Sequence, residues 1–258
     1  MDSFLSPSPL TLILLACAGF AGGLIDAVAG GGGLITVPAL LAAGLPPQLA
    51  LGTNKMQSAC GTLLAVVRYA RAGLLKSPGI PVAAVCSGLA GAAGAWAVSI
   101  APPEVLRLVI PWLLAAVAVY TMLNRRFGQE ARHAVMPVGV FAIAGGLLLG
   151  FYDGFFGPGT GSFWTVGLVS LLGLDLRHAT GYTKTVNLAS NLGALALFAA
   201  HGAVHPPIAA AMIAGQLLGA RLGSGLVIRR GAAFIRPVFL TVVMALTLKL
   251  LVDAWRAS

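Results

Sequence analysis

The chain has 258 residues, 58% hydrophobic and only 9% charged, with a mean hydropathy of +0.93. So few charges cannot cover a soluble globule of this size, and apolar runs of membrane-spanning length recur, so the composition specifies an all-α polytopic membrane protein. The net charge of +9 falls in short loops, where positive-inside topology puts it, which argues against a nucleic-acid partner.

In chain order the sequence predicts ten apolar segments, at roughly 10–29, 33–45, 49–70, 79–100 and 104–123, then 134–156, 161–174, 179–200, 206–228 and 234–255. The stretch Leu14-Leu15-Ala16-Cys17 is similar to a lipoprotein cleavage box, but Asp2 and no basic residue precede it, so the first segment is expected to stay as a helix. Segments two and seven are too short for a regular span and suit broken or re-entrant helices. Each lies between a glycine cluster and a turn, Pro46-Pro47 in one case and Asp175 in the other. Cys17, Cys60 and Cys86 all sit in apolar segments with no CxxC pair, which argues against disulfides and zinc.

Two stretches match each other. Asp26, Gly30 to Gly33 and Gly52-Thr53-Asn54-Lys55 correspond to Asp153, Gly157-Pro158-Gly159-Thr160-Gly161 and Gly181-Tyr182-Thr183-Lys184. The separation is 127 residues for the acids, 128 for Gly33 and Gly161, and 129 for the lysines. This is an internal duplication, and it divides the chain into a first transmembrane repeat, 1–128, and a second, 129–258. If all ten segments cross, the loops with Arg68, Arg71 and Lys76, with Arg125, Arg126 and Arg132, with Arg177, and with Arg229, Arg230 and Arg236 share one side. Five crossings per repeat then invert the second repeat relative to the first, an architecture of secondary transporters with the site near the midplane.

The candidate site follows from the duplication. Lys55 lies among Asn54, Ser58 and Thr62, and Lys184 among Thr183, Asn187 and Asn191, at helical spacing. Polar stripes on apolar helices face each other or water, and a lysine held in the bilayer is expensive. The other reading is that both lysines snorkel to the interface. A glycine break lets a half-helix aim its N–H groups into the gap, so Gly32, Gly33, Gly159, Thr160 and Gly161 join Thr53, Asn54, Lys55, Ser58, Tyr182, Thr183, Lys184 and Asn187 as candidate anion-binding residues. Glycine clusters also serve plain helix packing, the reading adopted for Gly215, Gly219 and Gly223 and for Gly88, Gly91 and Gly94. Asp26 and Asp153 suit either proton coupling or charge balance for the lysines. The cluster at Gly30 is not a nucleotide-binding P-loop, and no hydrolase or metalloenzyme motif occurs, so hydrolytic or metal-dependent enzyme chemistry is not expected.

The run Gly22-Gly23-Leu24-Ile25-Asp26-Ala27-Val28-Ala29-Gly30 to Gly33, with Pro38 and Leu51-Gly52-Thr53-Asn54-Lys55-Met56-Gln57-Ser58, resembles the sulfite exporter TauE/SafE family, also called the toluene sulfonate uptake permease family. Gly157-Pro158-Gly159-Thr160-Gly161 with Thr183, Lys184 and Asn187 resembles its second repeat. The likeness covers essentially the whole chain. It implies a multi-pass permease of the bacterial inner (plasma) membrane, with about eight spans and no catalytic cofactor. The implied substrates are small sulfur-containing anions, organic sulfonates or carboxylates. The combined expectation is a secondary transporter that holds a small anion at the repeat interface by alternating access. An anion channel or a carrier of small carboxylates is the alternative. Lipid and the anion are the expected partners, and homo-oligomerisation is compatible with the sequence.

Overall fold

The computed structural model describes residues 7–106, 108–110, 112, 113, 116 and 134–230. Segment ten, most of segment five and the basic residues Arg125, Arg126, Arg132 and Arg236 lie outside the described residues. Among the described residues the fold is helical: α1 Pro9–Ala29, α2 Gly33–Ala42, α3 Pro47–Arg71, α4 Ile80–Ile100, α5 Val138–Phe155, α6 Thr160–Leu172, α7 Leu176–Ala200 and α8 Pro206–Arg230. Proline in the first turn opens α1, α3 and α4, where its missing N–H costs nothing. The Asp175 carboxylate caps α7 by accepting from the N–H groups of Arg177 and His178.

Four of these helices, α1, α4, α5 and α8, are long and apolar enough to cross a bilayer. Helices α3 and α7 have 25 residues each, about 37 Å at the usual helical rise. They are long enough to cross but carry the polar stripes. The short α2 and α6 have 10 and 13 residues, as the two short segments of the sequence predict.

Close backbone approach fixes how the long helices run. Gly215, Gly219 and Gly223 of α8 lie successively against Ala16, Phe20 and Leu24 of α1, where an added Cβ would come within 1.9, 2.0 and 2.4 Å of the three carbonyl oxygens. The two helices are therefore parallel and in contact through a stripe of glycines. Gly150 and Gly154 of α5 lie in the same manner against Ser87 and Gly91 of α4, so α4 and α5 are also parallel. Gly94 packs on Phe151 and Gly91 on Ser190, which accounts for both glycine stripes as packing surfaces.

The apolar clusters mark the two ends. At one end Leu15, Leu40, Leu45, Ala50 and Ile208 gather the starts of α1, α3 and α8 with the finish of α2. At the other, Val28, Tyr69, Leu74 and Val227 gather the finishes of α1, α3 and α8. Ile80, Phe141, Leu172 and Ala179 bring together the starts of α4, α5 and α7 there with the finish of α6, and Leu75 packs against both groups. Thus α1, α3, α6 and α8 run toward this second end, and α2, α4, α5 and α7 run away from it. Arg68, Arg71, Lys76, Arg177, Arg229 and Arg230 lie at it, where the Arg177 guanidinium donates to the Ile228 carbonyl of α8.

Candidate functional site

The two glycine breaks touch. Gly30 closes α1 with φ of 72°, a left-handed conformation that costs glycine little. Its carbonyl accepts from the N–H of Gly161 at 3.2 Å, and the Ser162 hydroxyl donates to Ala29 O at 3.0 Å. A Cβ on Gly30 would stand 2.3 Å from Gly161 Cα. Gly161 and Thr160, whose N–H bonds Gly157 O at 3.2 Å, therefore spend their amides inside the protein. The expected aim of the α6 amides at an open gap is not what this arrangement presents.

The polar stripes of α3 and α7 face each other beside these breaks. Lys55 and Lys184 are buried, with 1% and 0% of their surface exposed. Each sits eight residues into its helix, about 12 Å along the axis. Neither snorkels. Lys55 Nζ lies 3.0 Å from Asp153 Oδ1 of α5, and Lys184 Nζ lies 3.0 Å from Asp26 Oδ1 of α1. Each pair thus joins a lysine from one half of the sequence to an aspartate from the other. Lys55 also donates to Asn191 Oδ1 at 3.0 Å, the Ser190 hydroxyl donates to Asp153 Oδ2, and the Thr62 hydroxyl donates to Asp26 Oδ2 at 3.3 Å. Burying a charge is tolerable only with such partners.

Asp26, Gly30, Gly33, Asn54, Lys55, Ser58, Asp153, Gly157, Asn187 and Asn191 line one polar cavity of about 20 Å³, room for one or two waters. An oxyanion headgroup is larger, so a ligand enters only if the surrounding groups part. Of the residues singled out from the sequence, Gly33, Asn54, Lys55, Ser58 and Asn187 are therefore brought together around it. Lys184 reaches the same cluster through Asp26, and Gly32 packs against Asp26, where a Cβ would meet the aspartate Cβ at 2.7 Å.

Other candidates lie behind this shell. Thr183 shares a 3.1 Å hydrogen bond with Thr165, and Thr36 donates to Asn54 Oδ1 at 2.6 Å, a matching α2–α3 and α6–α7 link in the two halves. Thr53 accepts from His205 N–H at 2.9 Å, Thr160 donates to Gly157 O at 2.7 Å, and Gly159, with φ of 83°, caps α6. Tyr182 is not at the cavity. It packs in the apolar cluster beside Trp164, because two residues along a helix turn a side chain about 200° from Lys184. Asn191, Ser190, Thr36 and Gln57, whose amide donates to Asn54 Oδ1 at 2.9 Å, complete the network outside the candidate set. Asn191 was legible as the next position in the α7 stripe. Ser190 carries no signal of its own.

Comparison with known proteins places the chain among membrane transporters. The profile of the family described as sulfite exporter TauE/SafE matches residues 15–250. The chain is 42% identical over 242 residues to the probable membrane transporter protein ORF9 of a Sinorhizobium species, covering 94% of this chain and 93% of the relative. It is 38% identical over 253 residues to the probable membrane transporter protein YfcA of Escherichia coli K12, covering 98% and 94%. A more distant relative, the probable membrane transporter protein YdhB of Bacillus subtilis, is 23% identical over 240 residues, covering 88% and 96%. No solved structure gives a significant match. The chain belongs to the sulfite exporter TauE/SafE family and is a multi-pass membrane transporter, not an enzyme.

Proposed function

We propose that the protein is a secondary transporter of small anions, sulfur oxyanions and sulfonates foremost, and that the anion binds between the halves at Lys55 and Lys184. The observation that carries this reading is the pair of buried lysines whose charges are met by carboxylates of the opposite half. A buried ammonium that already holds a carboxylate is suited to holding another oxyanion, and a few donors recognise sulfite, sulfonate or carboxylate alike. Asn54, Ser58 and Asn187 supply neutral polar groups around the same cavity.

The inverted repeat is part of this proposal. The opposite directions of α1 and α5, and of α4 and α8, support two repeats of opposite sense. So does the corresponding choice of partners, α1 with α8 and α5 with α4. Rocking of one half against the other would break the paired contacts on one face at a time, the geometry of alternating access. The basic ends at Arg71, Lys76 and Arg177 then face the cytoplasm across the inner membrane.

Purified protein in liposomes tests the site. Uptake of labelled sulfite or methanesulfonate should fall at least tenfold in Lys55→Ala and in Lys184→Ala, a loss of about 1.4 kcal/mol or more, in protein that still inserts. Normal uptake by both variants overturns the assignment. Ohmic, non-saturating flux in the native protein favours a channel instead.

A further inference from the structure

The two ion pairs occupy corresponding places in the two halves, yet their surroundings differ. Lys55 Nζ has two oxygens at 3.0 Å, from Asp153 and Asn191, and Asp153 is held again by the Ser190 hydroxyl. Lys184 Nζ has Asp26 Oδ1 at the same 3.0 Å but, among the described residues, no hydrogen-bond acceptor beside it such as Asn191 gives Lys55. Among the described residues, the second oxygen of Asp26 has only the long 3.3 Å bond from Thr62. Side-chain exposure follows the same order, 6% for Asp153 and 15% for Asp26. The difference is written in the sequence. At the 129-residue offset, Ser190 and Asn191 of the tight half stand where the loose half has Gly61 and Thr62.

Charge adds a second constraint. Two ammonium groups and two carboxylates sum to zero. A monoanion entering among them leaves one uncompensated negative charge in a low-dielectric site, which is strongly unfavourable. One proton on one carboxylate restores the balance. Asn187 lines the cavity, and its side-chain oxygen is buried with no donor among the described residues; such an acceptor calls for a hydrogen-bearing partner, not a bare anion.

Resting on the anion reading above, we propose that the pairs divide the work. Asp26 takes up one proton from the open face as a monoanion replaces it on Lys184, while Lys55–Asp153 stays ionised beside the same cavity as the point about which the halves rock. The proton adds to a carboxylate oxygen of Asp26, Lys184 remains an ammonium, and the site stays neutral, so anion and proton move together one to one. The groups facing Asp26 are Lys184 of α7, Thr62 of α3 and Gly32 at the start of α2, with Tyr69 of α3 close enough to sense its charge. Lys55 and Asp153 share its cavity.

The test uses the full chain in liposomes with labelled methanesulfonate, whose own charge does not change with pH. A gradient of one pH unit, alkaline inside, should drive the native protein toward about tenfold accumulation, independent of an imposed membrane potential. Asp26→Asn, whose amide imitates the protonated acid, should keep slowed exchange of labelled for unlabelled probe and lose accumulation. Asp153→Asn should transport more slowly yet still accumulate. Should the Asp26→Asn protein not fold, judged by gel filtration, Asp26→Glu should accumulate with a displaced pH midpoint; an unmoved midpoint contradicts the proposal. Accumulation by Asp26→Asn, or folded Asp26→Asn without exchange, also overturns it. Native uptake that ignores the pH gradient overturns the coupling alone and leaves the anion reading standing. No native uptake of methanesulfonate, sulfite or acetate overturns both.

Discussion

At the scale of single residues, four charges organise the centre of the molecule. Removing Asp153 leaves Lys55 buried with Asn191 as its remaining acceptor, so Asp153→Ala should cost about 3–5 kcal/mol, the usual result of breaking a buried pair. Asp26→Ala should cost at least as much, because Lys184 is fully buried and keeps no hydrogen-bond acceptor among the described residues. Thermal unfolding in detergent, compared for the two, checks the order. The glycine breaks give a second prediction. Gly30→Ala forces a left-handed backbone on alanine and drives its Cβ to 2.3 Å from Gly161, so it should destabilise by at least about 1–2 kcal/mol. Gly139→Ala meets nothing within 4 Å and should be neutral or stabilising by up to about 1 kcal/mol.

The lysines and aspartates were legible because the chain states them twice. Their partners were not. Helical spacing tells which residues share a face of one helix, but nothing in it says that Lys55 reaches Asp153 while Lys184 reaches Asp26. Tyr182 shows the converse failure, a neighbour in sequence that points into the apolar cluster with Trp164.

At the scale of elements, α3 and α7 carry the buried lysines, while their neighbours carry most of the exposed apolar surface. Apolar side chains of α1, α4, α5 and α8 such as Leu14, Leu89, Leu148 and Leu218 are exposed, while Lys55, Asn54 and Lys184 are covered. The short α2 and α6 were legible from length and flanking glycine, and the contact between their breaks was not, since it joins backbone atoms 131 residues apart. Helix α7 also carries a pH-sensitive cap outside the spanning region. Partial burial alone would raise the Asp175 pKa, but hydrogen bonds from His178 and Arg177 outweigh it and hold the carboxyl below its ordinary value. A lowered folded-state pKa means stabilisation that is present above the ordinary carboxylate pKa and lost as pH falls through the folded value. Asp175→Ala should therefore cost about 1 kcal/mol at neutral pH, with the gap to the native protein closing in acid, as melting curves across pH can read.

At the scale of the whole molecule, direction is the testable property. With Cys17, Cys60 and Cys86 replaced by alanine, single cysteines at Lys76 and Arg177 should react with an impermeant maleimide from the cytoplasmic side, and one at His201 from the opposite side. Labelling of Lys76→Cys and Arg177→Cys from different sides contradicts the repeat arrangement. The 127- to 129-residue offset and the placement of arginine lead to the same expectation from the sequence. The parallel pairing of α1 with α8 was not legible there, because the glycine stripe of α8 names a packing face and no partner.

The most direct measurement is calorimetric titration of the purified native protein and of Lys184→Ala with sulfite, methanesulfonate, acetate and chloride at two pH values. Saturable binding of an oxyanion to the native protein, stronger at the lower pH and lost in folded Lys184→Ala, is the result predicted here. Equal binding to both proteins, or none to the native one, would contradict the claim that the buried lysines hold the transported anion.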